Sequence, residues 1–275
     1  MWIFNSIFGK VFEFLFFPVR NLSPWFGMAI ISLLTSLLML FVFRYTSNQA
    51  GIRKVKNKIK AHLLELRLYK DSLSLTLRAQ GNIFLSNFRY IGYSSKPVLI
   101  MIIPLVLIIF QMNLWFGCRS FKPLETVMVK MKFKADVDIN TIHITPLENP
   151  FLKTETPPLR ITLDKEINWR FQVKEEGLHS LTFVINGQEV SKTIVAGKKS
   201  LARISPIKVR ANFIDELINP GEKPLPKGLP LKSIEVKYPS KKMEIFGLRL
   251  HWLIVYFVLS IILGFAFKGV FKVEI

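Results

Sequence analysis

The side chains best placed for polar chemistry in an apolar setting are three hydroxyls, Ser32, Thr35 and Ser36. They lie inside Trp25–Phe43, nineteen residues without a charge, which is roughly the length of helix that crosses the hydrocarbon core of a bilayer. Spaced at i, i+3 and i+4, the hydroxyls share one face of that helix. The stretch therefore predicts a membrane-spanning helix with a polar stripe. The alternative is that the small residues simply let helices pack closely.

Composition favours a membrane protein over an enzyme. Half of the 275 residues are hydrophobic and the net charge is +19, with eleven Lys and Arg against two Asp and Glu between Arg44 and Lys96. Such an excess beside apolar helices indicates membrane topology and contact with anionic lipid. The single cysteine, Cys118, and four scattered histidines form no disulfide, metal-ligand or catalytic pattern. We expect no cofactor, no metal, no small-molecule substrate, no DNA partner and no enzymatic activity.

The remaining chain divides by composition into further segments. Residues 1–22 lack the charge order of a cleavable signal peptide and place their apolar residues on one helical face, as an interfacial helix does. In chain order the predicted parts are an interfacial amphipathic helix (1–22), a first span (25–44), a coiled-coil hairpin (47–94), a second span (97–117), a β domain (121–240) and a third span (250–268).

The predicted hairpin is the most basic part of the chain. Apolar residues recur from Ile52 to Thr76 at alternating steps of three and four, which is typical of a coiled-coil seam. The first arm carries a cluster of cations that indicates contact with anionic lipid first and with nucleic acid second. The alternative is a solvated face that only fixes orientation. This basic cluster comprises Arg53, Lys54, Lys56, Lys58 and Lys60.

The second span contains two strongly polar side chains, Gln111 and Asn113. Two residues apart on a helix, they lie on nearly opposite faces, so we expect one of them to face protein. Polar groups at membrane depth join helices or serve function, although near a helix end they can also reach headgroups. Trp115 and Phe116 are expected to mark the membrane interface.

The segment 121–240 has the pattern of a β domain. Alternating runs such as TVMVKMKF and INWRFQV are separated by turn residues, and LTFVI-NG-QEVSKTIV predicts a hairpin with a type I′ turn. About seven such strands predict an Ig-like antiparallel sandwich. No residue pattern there indicates catalysis, so its expected role is recognition or support.

Charge predicts the orientation of the chain. The basic loop between the first two spans is expected to be cytoplasmic, which places the N-terminus and the β domain outside the cytoplasm and the C-terminus inside. Lys268 and Lys272 after the third span agree with this assignment. The predicted location is the plasma membrane, or inner membrane of a bacterium, as a multi-pass protein.

The order of these parts resembles the YidC/Oxa/Alb membrane insertase superfamily, in particular its small three-span bacterial members. The family's interfacial helix and first core span look like the segment IFGKVFEFLFFPVRNLSPWFGMAIISLLTSLLMLFVFRYTSNQ. The family's second core span is similar to the segment KPVLIMIIPLVLIIFQM. The likeness covers roughly residues 3–117 and, more weakly, 248–272. Bacterial members place an arginine midway in the first span, whereas Ser36 to Met39 carry no charge here.

The resemblance implies an Oxa-type insertase or chaperone, which offers a hydrophilic groove to the polar segments of client membrane proteins. Arg44 would attract acidic client residues at the groove mouth. The implied partners are the lipid bilayer and nascent or client proteins. The basic cluster of the hairpin could also receive ribosomal RNA of a ribosome, an acidic nascent chain or anionic headgroups. The alternative is a structural or interaction protein whose β domain binds an envelope partner. The groove candidates are Ser32, Thr35, Ser36, Arg44, Gln111, Asn113 and Ser260.

Overall fold

The computed structural model describes residues 2–197, 200–245 and 247–274. The chain divides into two units: a β unit, made of Met1–Met28 and Leu107–Val255, and a helical unit, made of Ala29–Val106 and Tyr256–Ile275. The helices are α1 (Trp2–Phe16), α2 (Pro24–Thr46), α3 (Gln49–Leu68), α4 (Leu73–Phe116), α5 (Phe213–Ile218) and α6 (Trp252–Phe267).

Three helical segments in the described residues are long and apolar enough to cross a membrane: Trp2–Val19, Pro24–Thr46 and Leu73–Phe116. Together with a separate β domain, they indicate a helical membrane protein. The segment α6 has 16 residues, or about 24 Å at the usual helical rise, which is shorter than a hydrocarbon core of about 30 Å. Its role as a third span stays a prediction.

The second arm of the predicted hairpin and the second span form one helix. Helix α4 runs without a break for 44 residues and includes Pro97 and Pro104. The start of α3 lies near the middle of α4, since a Cβ on Gly51 would lie 3.2 Å from Tyr93 Cζ. Ile52 and Val55, the first positions of the predicted seam, are buried.

The β domain consists of antiparallel sheets around one apolar core. Its five-stranded sheet has the order β3-β4-β1-β8-β7 and its three-stranded sheet the order β2-β5-β6. Inward residues of both sheets, including Trp169 and Phe183, contribute to the core. The strands are β1 (Thr126–Phe133), β2 (Ile144–Pro146), β3 (Leu152–Ile161), β4 (Glu166–Val173), β5 (Gly177–Ile185), β6 (Gln188–Ala196), β7 (Ile207–Val209), β8 (Leu231–Val236), β9 (Lys242–Ile245) and β10 (Leu248–His251).

The predicted Asn-Gly hairpin is confirmed. Strands β5 and β6 pair from Ile185 opposite Gln188 outward, with Asn186 and Gly187 as the two loop residues. Both have positive φ, 50° and 81°, as a type I′ turn requires.

The chain enters and leaves the β domain at one place. The amide of Arg119 donates to the Pro239 carbonyl at 2.9 Å, and the amide of Lys241 donates to that of Gly117 at 3.1 Å. The two connections therefore run as a short antiparallel pair. Strands β9 and β10, absent from the sequence interpretation, then pair with each other and lead directly into α6.

Helix α1 packs one face on the β unit and exposes the other. Asn5, Gly9, Phe12 and Phe16 are buried, while the face opposite them is apolar and exposed. That exposed face, which is what an interfacial helix needs, comprises Ile3, Ile7, Val11 and Phe14.

The expectation for Trp115 and Phe116 was wrong. Both side chains are fully buried, with ring centroids 5.0 Å and 5.8 Å from that of Phe16, which leaves neither free to reach headgroups. An aromatic pair at the end of an apolar run also suits a protein core. Sequence spacing could not distinguish the two because the partner, Phe16, is about one hundred residues away.

The β domain contains a buried ion pair. Lys192 of β6 is fully buried, and its Nζ lies 2.6 Å from Glu222 Oε1 and 2.6 Å from the Ser205 carbonyl oxygen. Burial lowers the pKa of Lys192, while the Glu222 carboxylate opposes that shift. The ammonium group therefore depends on the carboxylate to remain charged in the core.

Removing the carboxylate should destabilise the domain. We expect Glu222→Gln to lower the free energy of unfolding by about 3–5 kcal/mol, because a buried charge is left without its counter-ion. Denaturant unfolding of the full chain in detergent, followed by tryptophan fluorescence, measures the loss. The control Glu189→Gln, an exposed carboxylate on β6, the strand of Lys192, should change the free energy of unfolding by no more than about 0.5 kcal/mol. Equal losses in both variants would contradict the expectation.

A second ion pair gives the domain a pH dependence. Arg119 Nη1 and Nη2 donate to Glu125 Oε2 and Oε1 at 2.9 Å and 2.6 Å, and these bonds lower the pKa of Glu125 to about 2. The pKa of Glu125 is lower in the folded state than its ordinary value of 4.5. The ion pair therefore stabilises the fold above pH 4.5, and this stabilisation is lost as the pH falls toward 2.

The variant Glu125→Gln should therefore lose less stability between pH 4.5 and pH 2 than the wild type does. The melting temperature of the full chain, measured across that range, tests this. The matched control Glu148→Gln, an exposed carboxylate of the same domain, should keep the wild-type profile. A Glu125→Gln profile parallel to the wild type would show that the pair contributes nothing to acid stability.

Candidate functional site

The hydroxyl stripe of α2 lies on its buried face. Ser32, Thr35 and Ser36 are 0%, 3% and 4% exposed. Leu34 and Leu38, on other faces of the helix, are 43% and 41% exposed. The polar groups of α2 are therefore directed toward protein within the helical unit, and its leucines face outward.

Ser36 connects α2 to α6. Its Oγ lies 2.7 Å from the Ser32 carbonyl oxygen and 2.8 Å from that of Ser260. The hydroxyl has one proton, so it can donate to one of the two carbonyls at a time. The predicted groove residue Ser260 is thus brought next to the stripe.

Four further hydroxyls are buried around this contact: Ser32 Oγ, Thr35 Oγ1, Ser260 Oγ and Tyr256 Oη. The Tyr256 hydroxyl lies close enough to those of Thr35 and Ser260 to interact with both. We refer to Ser32, Thr35, Ser36, Tyr256 and Ser260 as the hydroxyl cluster.

Tyr256 was missed from sequence. It precedes Ser260 by four residues and so shares a face of α6 with it, which is the signal that could have identified it. A tyrosine near the start of an apolar helix is usually assigned to the membrane interface, and this one is fully buried instead.

Unpartnered hydroxyls in an apolar bundle are costly, at about 1–3 kcal/mol for each buried group left without a hydrogen bond. A serine or threonine can avoid the cost by donating to the carbonyl four residues earlier, as Thr46 does to Val42. Ser32, Thr35 and Ser260 make no such bond in the described residues. None of these three hydroxyls is therefore occupied by the backbone of its own helix.

Gln111 and Asn113 belong to the β unit. As expected from their spacing, Gln111 is 2% exposed and Asn113 is exposed. Gln111 Oε1 has no hydrogen-bond partner among the described residues, and the side chain lies beside Phe4 and Phe8 of α1. Whether either residue joins the hydroxyl cluster in a groove stays a prediction.

The predicted cations lie in the last turn of α2 and along α3. Arg44, in the last turn of α2, is exposed, with its guanidinium 5.9 Å from the ring of Tyr45. On α3, Arg53, Lys54, Lys58 and Lys60 are exposed. Lys56 is partly buried and pairs with Glu274 at 3.3 Å.

The structure gives no sign of a metal centre in residues 2–197, 200–245 and 247–274, where no three His, Cys, Asp or Glu side chains are grouped suitably. Comparison of the chain with protein-family models, with characterised proteins and with solved structures gives no match. The hydroxyl cluster and the basic surface of α3 are therefore the features from which a function must be inferred.

Water access to the hydroxyl cluster can be measured by cysteine labelling. The one native cysteine, Cys118, is replaced by serine, and Ser32→Cys, Ser260→Cys or Leu38→Cys is added. We expect a small water-soluble methanethiosulfonate to modify the first two positions in membranes, because a thiol reacts as the thiolate, which needs water. Leu38→Cys, on the outward apolar face, should remain unmodified. Protection at both serine positions would indicate a dry helix contact.

Proposed function

We propose that the chain is a membrane protein insertase or chaperone of the Oxa type, which helps polar segments of client proteins enter the bilayer. The observation that carries the proposal is the hydroxyl cluster. A helix contact that only needed close packing would not require five hydroxyls buried together.

The physical basis is the cost of moving polar groups into hydrocarbon, which reaches several kcal/mol for each unsatisfied or charged group. Hydroxyls between α2 and α6 would lower that cost by offering hydrogen bonds part-way across. Arg44, exposed at the end of α2, would attract acidic residues of the client. The activity proposed involves no covalent step, cofactor or metal.

We place α3, the first half of α4 and the C-terminus in the cytoplasm. We place α1 and the β domain on the opposite side of a plasma membrane. The support is the basic charge of α3 and of Lys268 and Lys272, together with the exposed apolar face of α1. We assign the β domain to the Ig-like sandwiches on the basis of its size and its two antiparallel sheets.

Membership of the YidC/Oxa/Alb superfamily is part of the same proposal. Its support is the order of an interfacial helix, a span with hydroxyls, a helical hairpin and a proline-bearing second span. The hydroxyl cluster would stand in for the arginine that bacterial members of the family keep in the first span.

A second function is favoured by one observation in the β unit, a cleft of about 570 Å³ that charged side chains help to line. Glu13, Arg203 and Glu222 line it, and the Nε of Arg203 is buried without a hydrogen-bond partner. A cleft of this size suits recognition of a ligand or a protruding side chain. In this alternative the chain is a structural or interaction protein whose β domain binds an envelope partner.

Site-specific crosslinking tests the insertase proposal. A photoreactive diazirine residue replaces Ser32 or Ser36 while a small membrane protein is translated, and adducts with the nascent chain are measured. We expect adducts from both positions, because the hydroxyl face would contact the polar part of the client. The same residue at Leu38, on the outward face, should give several-fold fewer adducts.

Two outcomes would contradict the proposal. One is the absence of adducts at Ser32 and Ser36 in a fully expressed protein, which would favour the second function. The other is equal adduct formation at Leu38, which would indicate random collision in the membrane rather than a groove.

A further inference from the structure

A basic cleft of about 740 Å³ lies in the helical unit between the start of α3 and the C-terminal tail, residues 268–274. The sequence interpretation placed the cations of α3 and those of the tail in separate segments. The structure assembles them around one opening. Its lining residues with a full charge are Arg53, Lys54, Lys56, Lys268, Lys272 and Glu274.

The tail is docked by specific contacts. Val273 is buried in an apolar cluster with Leu40, Phe43 and Ile52, of which Ile52 is fully buried. Next to it the amide of Glu274 donates to Gln49 Oε1 at 2.7 Å. The lysines of the tail are therefore held beside α3 by packing and hydrogen bonding.

Backbone geometry separates the charged and apolar residues of the tail. Lys272 has a φ of +50°, in the left-handed region, and the amide of Val273 donates to the Lys268 carbonyl at 3.1 Å. This tight turn leaves Lys268 and Lys272 exposed while Val273 enters the core.

Positive charge predominates around the cleft. Among the described residues one carboxylate, Glu274, lines it and pairs with Lys56 at 3.3 Å. Arg53, Lys54, Lys268 and Lys272 form no ion pair within the described ranges. Cations gathered in a concave site raise the local concentration of an anion and bind it best when it carries several oxygens.

We propose that this cleft binds the phosphate of an anionic phospholipid headgroup. Its walls begin at the ends of apolar helices: Gln49 follows α2 by three residues, and Lys268 immediately follows α6. Exposed apolar side chains next to it, Phe265 and Val270, suit the acyl chains of such a lipid. Basic sites between membrane helices at this level are typical binding sites for acidic headgroups.

The size of the cleft favours a headgroup over a nucleic acid. A volume of about 740 Å³ accommodates one phosphate with its glycerol, whereas a duplex of RNA needs an open surface. The inference rests on the proposed function only for the location of the cleft at a membrane surface. Lipid binding and client crosslinking are measured separately, so that either can fail without the other.

The test uses the full chain in detergent and native mass spectrometry, with phosphatidylglycerol, phosphatidylcholine of the same acyl chains, or inorganic phosphate as the probe. We expect preferential binding of phosphatidylglycerol. The double variant K268Q/K272Q should weaken it roughly 30-fold, because each basic residue near an anionic lipid contributes about fivefold. Both lysines are exposed, so the fold should be retained, which an unchanged melting temperature verifies.

The matched control K58Q/K60Q removes two exposed cations of α3 that do not line the cleft. It should change the affinity for phosphatidylglycerol less than twofold. Equal weakening by both double variants would overturn the proposal, because charge alone would then capture the lipid. Equal binding of the two lipids, or of phosphate and phosphatidylglycerol, would also overturn it. Displacement of phosphatidylglycerol by a short RNA duplex at lower concentration would assign the cleft to nucleic acid instead.

Discussion

The bond from Ser36 to the Ser260 carbonyl is the interaction on which the functional interpretation depends. It joins α2 to α6 within the hydroxyl cluster, whose other four hydroxyls are also buried. In hydrocarbon no solvent compensates for unmade hydrogen bonds, so each of these groups needs a partner among its neighbours or in water. A contact built from hydroxyls can exchange such bonds for bonds to water or to a polar chain, which is the property that the proposed function requires.

Local patterns predicted much of the fold because the forces behind them are local. The Asn-Gly turn at 186–187 sets the register of β5 and β6 through its own backbone preference. The stripe on α2 follows from helical periodicity, and its burial agrees with that pattern. No helix break marks the predicted boundary between the hairpin (to 94) and the second span (from 97), since a helix can continue through Pro97 when its neighbours supply the missing stability.

The parts that sequence reasoning missed depend on contacts between distant residues. Tyr256 joins the hydroxyl cluster, and the tail completes the basic cleft through the burial of Val273 beside Ile52. Helix α5 was also missed, because its six residues are too few to give a periodic signal. It accepts a hydrogen bond at the Glu216 carbonyl from the side chain of Asn5, which lies 211 residues away in the sequence. Nothing in the order of residues indicates which of many apolar or polar side chains will meet in this way.

The pairing of Gly117 with Lys241 and of Arg119 with Pro239 also bears on how such a chain could have arisen. A domain whose two ends meet can be gained or lost as a cassette, because its removal leaves a gap that one or two residues can close. The helices before and after it would keep their sequences and their connection through such an event. The β domain can therefore evolve at its own rate, acquiring new surfaces under selection that the membrane helices never experience.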